Sequence, residues 1–368
     1  MTSANLNAYD LFPHRACGRT SLLKRLSVVL LLSVAACDSP SGPSTGEPDL
    51  RLSELIIRQH LNTLAADSMY GREAGSDYEL QAAEYVRSAF VGYGLEPGVE
   101  DYFQTFPFLA VRTSRAAGIQ GQLVSQNVLG VLLGEGTLAG QWVIVGAHYD
   151  HIGWEEVAPD SIVVFNGADD NASGTALLME MARVLSREIE RLPVGAEGRR
   201  SIMFQAYGAE EIGLVGSTYF CQMPTVVMDS IVAMLNFDMV GRLREDSLIL
   251  IGSSSSLGWA DVVSEANVES LQITYSETSI NRSDQRCFYE QDKPVLFFHT
   301  GLHAQYHTPY DDVELINEDG ILRVGNVALG VLLDVATRTD RLEFAGDAVL
   351  DAVAVTTSAE HGSRAWQR

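Results

Sequence analysis

The chain alternates between two kinds of hydrophobic pattern. Arg51 to Ala66 carries apolar residues at helical spacing (Leu52, Leu55, Ile56, Leu61, Leu64), and Ser76 to Phe90 reads as a second helix stopped by Gly92 and Gly94. Then the period changes. Trp142 to Ala147 is a continuous apolar run, the signature of a strand buried on both faces. Similar runs follow at Ser201–Tyr207, Ile231–Phe237, Ser247–Ile251 and Val295–His299. Helical stretches separate them at Ala172–Arg187, Ile212–Gln222 and Leu257–Val268, with a last helix over Asp319–Thr337. Strands alternating with helices predict an α/β fold, a mostly parallel (mixed) central sheet with helices on both faces.

The ends of the chain lack this alternation. Arg15, Arg19, Lys24 and Arg25 form a basic region, Leu26 to Val34 is a short apolar run, and Val34-Ala35-Ala36-Cys37 closes it. A basic stretch, a short apolar run and small residues before a cysteine are similar to a bacterial lipoprotein signal, in which Cys37 is acylated and anchors the mature chain to a membrane. An ordinary signal peptide cut near Ala36 and a short membrane anchor are the alternatives. Either signal predicts export, to the cell envelope. Residues 38–49 are rich in Pro, Gly and Ser and read as a flexible tether. The alternating pattern fills one domain over 50–340, and residues 341–368 form a tail without clear patterning, expected to be partly disordered.

Composition narrows the class. With 46% hydrophobic and 20% charged residues, the chain predicts a packed core. Its net charge of −23 excludes nucleic-acid binding through the overall field. Cys17 and Cys37 belong to the N-terminal segment; Cys221 and Cys287 remain, and an exported compartment permits a disulfide between them. There is no Cys-x-x-Cys pair to build a thiolate metal site.

In open α/β sheets, ligands bind beyond the carboxyl ends of the strands. The polar residues there are His148 and Asp150 after the first apolar run, Asp169 and Asp170 opening the next helix, Glu210 and Glu211 after the second run, Asp238 after the third, and His307 following the last. Imidazoles and carboxylates together are metal donors, and carboxylates crowded into one cleft repel one another unless cations neutralise them. Each element has a plainer reading: Asp169-Asp170-Asn171 as a helix cap, Glu210-Glu211 as dipole-compensating acids, His148 as a hydrogen-bonded core residue. Their recurrence at successive strand ends favours the cluster. Rival chemistries lack their marks. There is no His-Glu-x-x-His helix and no Gly-x-Ser-x-Gly elbow joining a strand to a helix, and Gly134, Gly136 and Gly140 miss dinucleotide spacing by one.

The segments GAHYDHIG (146–153), FNGADDNASG (165–174), AYGAEEIGLVGS (206–217), NFDMVGR (236–242) and YHTPYDD (306–312) closely resemble the co-catalytic di-zinc exopeptidases. That family includes secreted bacterial leucine aminopeptidases, glutamate carboxypeptidase II, glutaminyl cyclases and transferrin receptors. Weaker likeness covers YGREAGSDYE (70–79), GLEP (94–97), NVLG (127–130) and SDQRCFYEQDKPVLFF (283–298). The resemblance implies two Zn2+ ions: His148 and Asp238 on one, Glu211 and His307 on the other, Asp169 bridging. It implies Glu210 as general base, Asp150 as the carboxylate that orients His148, and Tyr306 as a candidate oxyanion donor whose alternative is packing. His151, His299 and His303 do not match ligand positions and read as supporting residues. Asp170 reads as a cap or a supporting group, and Asp311 and Asp312 as supports for the His307 loop. Gln285 stands where many members have His after Ser-Asp, so that position carries no assigned role. About thirty residues separate Phe108 from Gly140, too few for the protease-associated domain of many relatives.

The resemblance implies a hydrolase acting on peptide substrates, with an aminopeptidase as the leading expectation. A glutaminyl cyclase or carboxypeptidase on the same scaffold is the first rival, and a non-catalytic binding protein the second. Retention of all five candidate ligands favours a two-metal hydrolase over both.

Overall fold

The computed structural model describes residues 47–110, 121–278 and 280–346. All belong to one compact unit within Thr45–Arg368. The signal-type segment with Cys17 and Cys37, most of the tether, and the tail beyond Gly346 lie outside the described residues.

In chain order the helices are α1 (Glu54–Leu64), α2 (Asp77–Tyr93), α3 (Gly174–Arg187), α4 (Val215–Gln222), α5 (Trp259–Ala266), α6 (Gln285–Tyr289) and α7 (Glu318–Thr337). The strands are β1 (Glu96–Pro97), β2 (Phe103–Ala110), β3 (Gly121–Leu132), β4 (Glu135–Gly136), β5 (Trp142–His148), β6 (Trp154–Ala158), β7 (Ser161–Val164), β8 (Gly198–Arg199), β9 (Ser201–Tyr207), β10 (Ile231–Phe237), β11 (Ser247–Ile251), β12 (Gln272–Ser276) and β13 (Val295–His299). The main sheet runs β1-β3-β9-β5-β10-β13-β11-β12, with β2 also on β3. Its centre is parallel: β9, β5, β10 and β13 pair side by side in one direction. β3 joins β9 antiparallel and β11 joins β13 antiparallel, so the sheet is mixed.

The buried strands read as unbroken apolar runs because both faces are covered. From β5, Val143, Val145 and Ala147 enter the core shared with α1, α2, α3, α5 and α7, while Ile144 enters the core on the opposite face with Phe220 of α4 and Phe288 of α6. Gly146 faces that second side, where a Cβ would lie 2.6 Å from the Tyr207 ring. A disulfide joins Cys221 at the end of α4 to Cys287 in α6 and staples that layer. α7 is long and apolar enough to cross a membrane, but Val324, Val327, Ala328, Val331 and Leu332 are fully buried in the first core, as in a core helix.

The strands follow the apolar runs closely. The apolar pattern predicts no element over β2 and β3, and the reason is chemical. Gln104, Ser125, Gln126 and Asn127 are buried polar residues that break the apolar pattern. They satisfy one another and their neighbours: Asn127 Nδ2 donates to Gln104 Oε1 and to the Gly216 carbonyl, and Gln126 Nε2 donates to Tyr149 Oη. The helix expected from Ile212 starts only at Val215, because Gly213 and Leu214 take positive φ. The boundary drawn at 340 falls inside packed chain: Leu342 is buried and the Ala345 N–H donates to the Ser255 carbonyl.

His60 of α1 sits between the hydroxyls of Tyr85 (2.8 Å) and Tyr93 (3.0 Å). Burial, helped by Arg183, lowers its pKa from 6.5 to about 4. The unfolded chain therefore takes up a proton below pH 6.5 that the folded chain refuses until about pH 4. Stability should fall across that window, by about 3 kcal/mol in total, and then level off. Equilibrium unfolding of wild type and His60→Gln at matched metal content should show the difference between them shrinking by that amount from pH 6.5 to 4. A constant difference would exclude this role.

Candidate metal centre

β5 and β9 end in register, His148 opposite Tyr207, so their following turns start from one edge of the sheet. His148 Nδ1 lies 3.2 Å from the Asp150 carbonyl, and Thr175 of α3 donates to the His148 carbonyl. An N–H at Nδ1 leaves Nε2 with a lone pair aimed at Asp170 (3.4 Å) and Asp238 (3.6 Å). Asp150 thus meets His148 mainly through its main chain; its carboxylate is 3.7 Å from Nδ1. That carboxylate serves the neighbouring turn, accepting from the N–H groups of Glu210 (3.0 Å) and Glu211 (3.2 Å).

The turn before α3 separates the adjacent aspartates. Asp169 Oδ1 accepts from the Gly241 N–H (2.6 Å) and from Ser173 Oγ (3.1 Å), and its Oδ2 lies 3.2 Å from His303 Nε2. Asp170 instead presents Oδ1 to His148 and Oδ2 to His307 Nε2 at 2.9 Å. The expectation that Asp169 bridges is therefore corrected: the shared carboxylate is Asp170. Asp169 is committed to the Gly241 N–H beyond β10, to the Ser173 hydroxyl and to His303. The helix-capping reading of Asp169-Asp170-Asn171 narrows to Asn171, whose Oδ1 accepts from Gly174 N–H at 3.0 Å. Asp311 Oδ2 accepts from both the Asp169 and Asp170 N–H groups and fixes the turn from the other side.

Glu210 and Glu211 lie in a turn before α4, not in its first turn. Glu79 Oε1 accepts from Ala209 N–H at 3.1 Å, where φ is +57°, and Asp150 holds the next two amides. Glu211 Oε1 is 2.8 Å from His151 Nδ1 and its Oε2 is 3.1 Å from His307 Nε2. Burial raises the pKa of Glu210 well above the carboxylate range; Glu211, Asp284 and Asp238 add to this and His148 opposes it. Asp238 follows β10, and its carbonyl accepts from His299 Nδ1 at 2.9 Å, which makes His299 a support. His307 has φ +54°, and the Tyr306 ring stacks on it with centroids 3.8 Å apart. Burial, and after it Asp170 and Glu211, raise the Tyr306 hydroxyl above its ordinary value, so it stays a donor. Asp312 accepts from Asn166 Nδ2 at 2.9 Å and steadies the loop, while Gln285 accepts from Asn236 and ties α6 to β10.

Two donor groups result. His151, Asp170, Glu211 and His307 form one; His148, Asp170 and Asp238 form the other, with ligand atoms of each group within 4.8 Å of one another. Asp170 belongs to both. His151, read from sequence as a support, stands inside the first group; its only signal was the His-x-x-His spacing after β5. The set fits a divalent cation of borderline softness. The Nε2 atom of His151 is buried without a hydrogen-bond partner among the described residues. Burial disfavours charge on His307, yet hydrogen bonding to Asp170 and Glu211 raises its pKa to about 10: the carboxylates demand a positive charge there.

A mixed α/β sheet with a buried imidazole–carboxylate cluster beyond its parallel strands defines a metal-centre protein of the open-sheet class. Residues 127–332 match the model of peptidase family M28, and the chain belongs to that family. Among its relatives, aminopeptidase YwaD of Bacillus subtilis is 27% identical over 224 residues, covering 57% of this chain and 44% of YwaD. The chain thus spans less than half of that relative's length. Among solved structures, BSAP, a zinc aminopeptidase from Bacillus subtilis, superposes with a TM-score of 0.60 at 17% identity, covering 79% of this chain and 96% of that one. A Bacteroides thetaiotaomicron glutaminyl cyclase superposes with a TM-score of 0.57 at 15% identity, covering 77% and 98%. These likenesses establish the fold.

The two aspartates give a direct test. Asp170→Asn should weaken Zn2+ binding in calorimetric titration by more than the roughly 10–100-fold that outer hydrogen-bond partners command, whereas Asp169→Asn should stay within that range. The reverse order would restore Asp169 as the shared ligand.

Proposed function

We propose that this chain is a zinc-dependent exopeptidase, an aminopeptidase that hydrolyses N-terminal residues from peptides, with two Zn2+ ions in the two donor groups. His148 and Asp238 would hold one, Glu211 and His307 with His151 beside them the other, and Asp170 both. The observation that carries the reading is the divergence of two adjacent acids. Glu211 is a member of a donor group, while Glu210, half-buried like its neighbour, belongs to neither. A carboxylate left free beside a metal centre, with its pKa pushed upward, is suited to general acid–base work.

Bound zinc lowers the pKa of water and polarises a carbonyl as a Lewis acid. The chain's own residues do the rest. Asp150 pins the Glu210 and Glu211 amides and so fixes where both side chains point. Glu210 takes the proton from the attacking water and returns it to the leaving amine. Tyr306, protonated and partly open to solvent, donates to the oxygen on which charge develops. The names of the relatives support the peptidase reading, and the complete pair of donor groups favours it over a cyclase. We also propose export and lipid anchoring through Cys37; mass spectrometry of the native N-terminus tests this, and a free Cys37 would exclude it.

Glu210→Gln preserves shape and removes the proton acceptor. It should lower kcat on aminoacyl substrates by about 10²–10⁴-fold with zinc content and melting temperature nearly unchanged. Glu211→Gln should first lose zinc and recover part of its activity in excess metal. Near wild-type kcat for Glu210→Gln would sink the mechanism, and hydrolysis of N-blocked but not free-amine peptides would sink the aminopeptidase assignment.

A further inference from the structure

The turn bearing His148, Asp150 and His151 and the turn bearing Asp170 are joined by the β6–β7 hairpin, at whose base the Phe165 N–H donates to the Gly153 carbonyl at 2.9 Å, and a further link between their donor-bearing ends would fix the register of those donors. The candidate lies upstream of the matched family region, in the segment Tyr70-Gly71-Arg72-Glu73. Arg72 has no exposed surface. Its guanidinium donates through Nε to the Tyr149 carbonyl at 2.7 Å, through Nη1 to the Asn166 carbonyl at 2.8 Å and to the Leu64 carbonyl, and through Nη2 to the Gly167 carbonyl at 3.1 Å. Tyr149 lies between His148 and Asp150. Asn166 and Gly167 precede the turn that carries Asp170. One planar fork therefore spans both turns and the end of α1.

The main chain of the same segment adds to this. The Arg72 carbonyl accepts from His151 N–H at 3.2 Å, and the Gly71 carbonyl accepts from Gly153 N–H at 3.1 Å. Gly71 has φ +64°, and a Cβ there would lie 2.2 Å from the Gly153 carbonyl oxygen, so only glycine permits the approach. Burial lowers the pKa of Arg72 only to about 10, opposed by Asp150, Asp170, Asp311 and Glu211, so it remains a cation. A lysine ammonium has three donors on one atom and cannot reproduce a rigid fork across separated carbonyls.

We propose that Arg72 is a positioning residue of the metal centre: it locks the turn bearing His148, Asp150 and His151 against the turn bearing Asp170, so that donors from both face one another. The proposal rests on the metallopeptidase reading above. It makes the segment Tyr70 to Glu73, before the matched region, part of the functional site.

The test uses Arg72→Lys, Arg72→Met and Arg72→Gly in the full chain, the last suited to the positive φ of +48° at this position. Zn2+ affinity of metal-stripped protein is measured by chelator competition, with kcat, KM and melting temperature alongside. All three variants should bind Zn2+ at least about 10-fold more weakly, on the scale of lost outer partners of a metal site. At saturating Zn2+ they should show reduced kcat with KM little changed. Low-millimolar guanidinium should restore part of the affinity of Arg72→Gly. Variants that lose only melting temperature, with wild-type Zn2+ affinity and kcat, would overturn the proposal, as would failure of all three to fold, which would assign Arg72 to the fold as a whole. If wild type itself neither binds Zn2+ nor hydrolyses aminoacyl substrates, the functional reading falls instead; if wild type does both and the variants match it, only this inference falls.

Discussion

Carboxylates crowded at the ends of buried parallel strands set the terms for everything around them. Two like charges about 4 Å apart cost about 4 kcal/mol at an effective dielectric of 20, and Asp150, Asp170, Glu210, Glu211, Asp238 and Asp284 converge on this cleft. The protein answers in two ways. Some carboxylates are spent on main-chain amides: Asp150 on Glu210 and Glu211, Asp169 on Gly241, Asp311 on Asp169 and Asp170, Glu79 on Gly75 and Ala209. Others keep lone pairs directed at imidazole nitrogens, namely Asp170, Glu211 and Asp238. The first set builds the turns, and the second is free to hold cations.

This division explains what the sequence could and could not disclose. The residue types and their places after apolar runs were legible, because strands covered on both faces leave an unmistakable pattern and the polar residue after each must face the sheet edge. Which of two adjacent aspartates is spent and which is free was not legible. The choice between Asp169 and Asp170 depends on Gly241 and His303, from the β10 end and the loop after β13. His151 was missed for a similar reason: its partner Glu211 is 60 residues away, across β9.

The fold shows the same limit. Apolar runs marked β5, β9, β10, β11 and β13. β2 and β3 escaped because the buried amides and hydroxyl of Gln104, Ser125, Gln126 and Asn127 interrupt their apolar residues. Those groups have a purpose near the site. Ser125 Oγ donates to Glu79 Oε1 at 2.6 Å, and Glu79 in turn holds the Ala209 amide. Asn127 Nδ2 reaches the Gly216 carbonyl of α4. The antiparallel edge of the sheet is thus polar where it supports the Glu210–Glu211 turn, at the expense of the pattern that would have revealed it.

That support decides how two neighbouring glutamates come to differ. Had α4 begun at Glu210, Glu210 and Glu211 would have been first-turn acids facing the helix dipole. Positive φ at Ala209 and at Leu214 instead confines them to a short turn whose amides point inward to Glu79 and Asp150. With the amides held from beneath, Glu211 extends toward His151 and His307, while Glu210 faces the charges of His148, Asp238 and Asp284 without joining a donor group. The chemical difference between the two residues is therefore a property of the turn, and the carboxylates that shape the turn are as much a part of the centre as those that face the cation.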